Sequence, residues 1–108
     1  MRAVLILLAL FASTSVRAAA NRAFDTGNEF LSLCDDKNGG RPYCLGSAVG
    51  YADMLMSMGQ ICAPGRSFPK GQVIDVVIKY VRDHPGLRSK AAAELANAAL
   101  LEAFPCKK

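Results

Sequence analysis

Polar side chains recur every three or four residues along much of this chain, and that spacing predicts helices. Gln72, Asp75, Lys79, Arg82 and Asp83 follow it, which is helical rather than strand periodicity. The residues between them, Val73, Ile74, Val76, Val77, Ile78 and Val81, are β-branched and by propensity alone would suit a strand. Period and length decide for a helix from about Pro69 to His84, stopped by His84-Pro85-Gly86. Asp75 with Lys79, and Lys79 with Asp83, form i,i+4 pairs on its polar stripe. A further helix, about Ser89 to Phe104, is rich in alanine and has high intrinsic propensity. Its pattern puts Ala92, Leu95, Ala96, Ala99 and Ala103 in the core, with Lys90, Glu94 and Asn97 wet. Leu101 falls within the wet face and is a candidate for partner contact.

Two helices precede these. Thr26-Gly27-Asn28-Glu29 matches a capping box and opens a short helix to about Cys34, with Phe30, Leu31 and Cys34 on one side. A polar loop from Asp35 to Arg41 leads to Pro42, a residue suited to the first position of the next helix. That helix runs to about Met58 and is ended by Gly59. Gly46 and Gly50 sit inside it, each at a cost of about 1 kcal/mol relative to alanine. With Ala48, Ala52 and Ser57 they predict a narrow face for close helix packing. Asp53 is expected to face solvent or pair with a neighbouring helix, because a lone buried carboxylate is costly. Met54, Met56 and Met58 are expected to fill the core. Cys62 to Pro69 forms a second loop.

Four helices with short connections predict an all-α fold, a small four-helix antiparallel bundle. The chain is 108 residues long. Its start reads as a secretory leader: Arg2, then an apolar run from Ala3 to Ala12, then small-residue cleavage sites. That run is too short to cross a bilayer. Residues 1–20 are assigned to a signal peptide cleaved after Ala18 or Ala20, and 21–108 to the helical domain. No later segment reaches the ~18 apolar residues a span needs, so the mature protein carries no membrane span.

A mature domain of roughly 90 residues buries only about 60% of its unfolded surface and is marginal without covalent staples. Four cysteines, Cys34, Cys44, Cys62 and Cys106, follow the leader, each at a predicted helix edge. In an antiparallel bundle the first helix ends where the second begins, and the second and fourth end together at the opposite pole. Of three pairings, geometry favours Cys34–Cys44 and Cys62–Cys106. In the chain-entropy model these contribute about 3 and about 4 kcal/mol.

The formal charge is +4 and falls to +2 without Arg2 and Arg17. That is too small and too dispersed to indicate nucleic acid. No two cysteines lie closer than ten positions, so zinc-type spacing is missing. His84, the only histidine, sits at a helix end, where a cation is ordinary stabilisation. No phosphate-binding glycine motif is present. No catalytic residue, metal ligand or cofactor site is assigned, and the chain is read as a binding protein rather than an enzyme.

Phe24-x-Thr26-Gly27-Asn28-Glu29-Phe30-Leu31-x-x-Cys34 resembles the start of the Rap/Tai immunity proteins of type VI secretion systems. The resemblance continues through Cys44-Leu45-Gly46-x3-Gly50-Tyr51-Ala52-Asp53 and Ile61-Cys62-x-Pro64. It closes with Gly71-Gln72-Val73-x-Asp75-Val76-Val77-x-Lys79-Tyr80-x-x-Asp83-His84-Pro85 and Ala103-Phe104-Pro105-Cys106. The segment Pro85 to Ser89 is less charged than the resemblance leads one to expect.

The resemblance implies a periplasmic antitoxin that occludes a secreted peptidoglycan amidase, often as a homodimer. Its loops would plug the cleft holding the effector's catalytic cysteine and histidine. Exposure then nominates Asp36, Lys37 and Arg41 in the first loop and Arg66, Ser67 and Lys70 in the second. Tyr43 and Phe68 are the nearest apolar anchors. A small periplasmic chaperone or stress-response binding protein is the competing reading. Acid-triggered chaperones would need many titrating groups at low pH, and one histidine with two disulfides leans against that.

Overall fold

The computed structural model describes residues 24–107; the predicted leader lies outside them. Four helices follow in order: α1 (Gly27–Asp35), α2 (Gly40–Ser57), α3 (Lys70–Asp83) and α4 (Ala92–Ala103). A single 3₁₀ turn, Pro85–Leu87, joins α3 to α4. Every pair of helices is in contact, so the expected all-α bundle forms. Both disulfides form as expected, Cys34–Cys44 and Cys62–Cys106, with Cα atoms 5.0 and 4.8 Å apart.

The capping box is complete. The Thr26 hydroxyl accepts from the Glu29 amide, and the Glu29 carboxylate accepts from the Thr26 amide at 2.7 Å. A nine-residue helix has little stability alone, and backbone bonds tether this one. The Gly27 amide donates to the Lys90 carbonyl at 2.9 Å, Asn28 to Arg88, and Ala92 in turn to Asp25. At its other end Asp35 pairs with Arg82 at the end of α3. Both ends of α1 therefore lie at the pole where α3 finishes and α4 begins.

That pole explains the segment 85–89. The Arg88 guanidinium donates to the carbonyls of Val81 and Arg82. It supplies donors and positive charge to the last turn of α3. His84 adds a third: its Nδ1 lies 2.7 Å from the Tyr80 carbonyl and its ring stacks on Tyr80. At the opposite pole the Cys62 amide donates to Phe104, beside a bridge between Ile61 and Pro105.

The core runs through all four helices. Phe30 and Leu31, then Cys44, Ala48, Ala52 and Leu55, meet a row of Val73, Val77 and Val81 and the α4 residues Ala92, Leu95, Ala96 and Leu100. The β-branched run of α3 is accommodated as a helix because every fourth residue points inward. On its outer stripe Lys79 pairs with Asp83 and not with Asp75. Asp83 is the residue toward the α3 carboxyl end, and the hydrogen bond from Lys79 holds its carboxyl below the usual range.

Five expectations fail on helix geometry. Met54, Met56 and Met58 are exposed, at 62%, 45% and 58%, because Cys44, Ala48, Ala52 and Leu55 already occupy the inner face of α2. Gly46 and Gly50 do not support close packing; a Cβ at either would meet nothing within 4 Å. The alanines alone make the contact. Ala103 is exposed, since α4 turns its inner face through Ala99 and Leu100 and then ends. Pro42 is the third helical residue rather than the first, and α4 starts at Ala92 rather than Ser89.

Close approach occurs instead at Gly27, where a Cβ would lie 2.6 Å from the Leu95 Cδ1 and 3.1 Å from the Arg88 backbone. Leu95 is only 2% exposed and has no room to retreat. Gly27→Ala is expected to cost about 1–3 kcal/mol through overpacking. Gly46→Ala and Gly50→Ala should each stabilise by about 0.5–1 kcal/mol. Chemical-denaturation midpoints measure all three, and shifts of the same sign would contradict this packing.

Candidate functional site

The two nominated loops lie at opposite ends of α2, whose 18 residues span about 27 Å. They cannot form one compact surface. In the first loop most polar groups are engaged within the fold. The Asp36 carboxylate accepts from the Asn38 and Gly40 amides, both at 2.8 Å, and so caps the start of α2. The Arg41 guanidinium donates to the Cys34 carbonyl at 3.4 Å. The Tyr43 hydroxyl donates to Asp25 at 2.7 Å, and that bond and the carboxylate's charge raise the tyrosine pKa above its ordinary value. Tyr51 is raised too, first by burial and then by the same carboxylate. Among the described residues Lys37 is exposed and has no such partner.

The second loop is different. Arg66, Ser67, Phe68 and Lys70 converge on one groove of about 400 Å³ between the end of α2 and the start of α3. Val49, Ala52 and Val73 give it an apolar lining, and Asp53 and Met56 line it from α2. Phe68 is half-buried, and its ring packs edge-on against Phe104 at 5.0 Å. This contact fixes the loop to the core and places an aromatic on the groove, as an interface anchor requires. Arg66 and Lys70 are exposed, and no ion pair engages either among the described residues.

Sequence reasoning missed part of this site. It placed Met56 in the core and expected Asp53 to face solvent or pair with a neighbouring helix, without a place in a binding surface, yet both line the groove. The signal was available: at 100° per residue, the inner face of α2 leaves Asp53, Met54 and Met56 outside it. A second exposed patch lies on the outer face of α2, with Tyr43 50% and Met54 62% exposed on either side of Gly46 and Gly50. Leu101 is 42% exposed on α4, as its place in the wet face predicted.

Chemically, the groove offers binding groups, and no histidine or cysteine lines it. All four cysteines are paired, and the single histidine is engaged at the end of α3. Among the described residues, no group of three or more potential ligands could hold a metal ion. No helix among them is long and apolar enough to cross a membrane.

No curated protein and no solved structure matches the chain. A family model does: that of the Rap1a immunity proteins, over residues 26–106. The matched span holds all four helices, both disulfides and the groove. The chain therefore belongs to the Rap1a immunity proteins, whose immunity function is directed against a secreted effector.

Proposed function

We propose that this protein is a periplasmic inhibitor of a type VI-secreted peptidoglycan amidase, and that it protects the cell from self-intoxication by covering the enzyme's catalytic cleft. The observation that carries this reading is the convergence of Arg66, Ser67, Phe68 and Lys70 on one groove beside Met56. It joins an apolar floor, an aromatic anchor and two cations outside the ion pairs found among the described residues, the anatomy of a protein-binding surface. Inhibition is steric, by Phe68 and the cations beside it filling the enzyme's cleft. Residues 1–20 direct export and are removed, which fits the two disulfides of the mature domain. The outer face of α2, with Tyr43, Gly46, Gly50 and Met54, is the surface through which two copies would associate.

The test is direct. The mature chain should form a complex of submicromolar affinity with a cysteine-type amidase effector, sought first among the genes beside its own, and cell-wall hydrolysis should cease at stoichiometric inhibitor. No binding at micromolar concentrations would overturn the pairing. The exposed methionines favour one competing reading, a chaperone with an adaptable apolar surface. That protein would suppress aggregation of unrelated unfolded substrates, which a dedicated inhibitor would not do.

A further inference from the structure

We infer that the Cys62–Cys106 disulfide is a reducible clamp on the groove, so that compartment redox state regulates binding there. The regulatory half rests on the binding reading proposed above; the clamp itself does not. The two disulfides sit in different surroundings. Cys34 and Cys44 are 2% and 0% exposed, sealed between α1 and α2. Cys62 is exposed and Cys106 half-buried. Thiol–disulfide exchange requires a thiolate to reach a sulfur, and only the second disulfide offers that access.

A surface hollow of about 470 Å³ lies beside it, with Cys62, Pro64, Phe104 and Lys107 in its lining. Its concavity gives an incoming dithiol room to approach. The Lys107 ammonium favours the thiolates formed during exchange. The step balances as two exchanges. A thiolate of the reductant attacks Sγ of Cys62, the S–S bond breaks, and Cys106 departs as a thiolate that takes up a proton. The second thiol of the reductant then attacks the mixed disulfide and releases Cys62. Two electrons and two protons pass to the protein, and the dithiol leaves as a disulfide.

What this releases is the binding loop. Among the described residues, no loop or side-chain hydrogen bond involves residues 63–68. The loop is held at its start by the Cys62–Cys106 bond, the Cys62 amide on the Phe104 carbonyl and the Ile61–Pro105 bridge, at its end by α3, and between by Phe68 against Phe104, two residues from Cys106. Opening the disulfide removes the one covalent link at the start of the loop and leaves the Cys62 amide bond to Phe104 and the Ile61–Pro105 bridge to hold it, so the loop loosens from its Cys62 end while Ile61 and Phe104 stay in the core. The buried Cys34–Cys44 staple and the packed helices remain.

The experiment treats the mature chain with graded dithiothreitol, then alkylates and identifies the free cysteines by mass. Cys62 and Cys106 should label first, with Cys34–Cys44 intact. Trypsin cleavage after Arg66 should then accelerate on the order of tenfold or more, while cleavage after Arg88, in the packed α3–α4 turn, stays slow. Reoxidation should restore resistance, and Cys62→Ser with Cys106→Ser should reproduce the open pattern without reductant. Simultaneous reduction of both disulfides, unchanged cleavage at Arg66, or a parallel rise at Arg66 and Arg88 would each overturn the clamp. The same samples are titrated with the amidase. Weaker binding after reduction, recovered on reoxidation, supports regulation; equal affinity in both states overturns it. Binding in neither state defeats the proposed function and the regulatory half with it, while the protease result still judges the clamp.

Discussion

Replacing Phe30 with alanine is expected to remove about 3–5 kcal/mol of stability, the usual cost of deleting a buried phenyl ring. The ring is 1% exposed and is the largest side chain that α1 contributes to the core. α1 is too short to stand alone, so losing its main apolar contact weakens its docking as a unit. Domains of this size are stable by only about 5–15 kcal/mol. The melting temperature should fall on the order of 15–30 °C, as scanning calorimetry would record. Leu101→Ala, an exposed leucine of α4, serves as the control and should stay within about 0.5 kcal/mol of the parent. A Phe30→Ala loss below about 1 kcal/mol would mean that α1 is not held by this core.

The largest effect on binding is expected from reversing the two cations of the groove together. Arg66→Glu with Lys70→Glu should weaken the amidase complex roughly 30- to 1000-fold, the range for losing about 2–4 kcal/mol at an interface hot spot. Both residues are exposed and outside the ion pairs among the described residues, so stability should change by no more than about 0.5 kcal/mol. Part of the loss should appear in the association rate and diminish at high salt, since exposed charges steer encounter. Lys37→Glu, at the far end of α2, should leave affinity within about threefold. Calorimetric titration of the three proteins decides it: equal losses from Lys37→Glu would move the interface to the other pole.

The readable features were those governed by nearest neighbours. The capping box at Thr26 and the stop at Gly59 are local; the latter closes α2 with φ +69° and bonds from Gly59 to Met56 and from Gln60 to Leu55. The disulfide pairing was also readable, because helix ends and short connections fix which cysteines can meet. The α3 polar stripe outweighed β-branched propensity, since period reports the packed face and propensity only biases it. Less legible was which helix face turns inward. A glycine in a helix signals either close packing or an empty surface, and spacing alone does not separate them; Gly46 and Gly50 turned out to face open space. The same ambiguity misplaced the α2 methionines. The site was half legible for a related reason: loop composition marked both loops as polar, but the engagement of Asp36 and Arg41 within the fold depends on distances no spacing supplies.

The backbone bonds between the start of α1 and residues 88–90 tie together stretches far apart in sequence, and the Cys62–Cys106 bridge does so again. Such contacts carry a loop-closure cost that must be met before they stabilise anything, and they slow folding. A chain emerging with its amino end first could pack α1 on α2 and form α3, but could not tie the start of α1 to residues 88–90 or close the second ring. Completion waits for α4. Under the export proposed above, the final shape is thus reached only when nearly the whole domain has arrived on the same side of the membrane, and a partial chain still in transit would present no finished surface for an effector to meet.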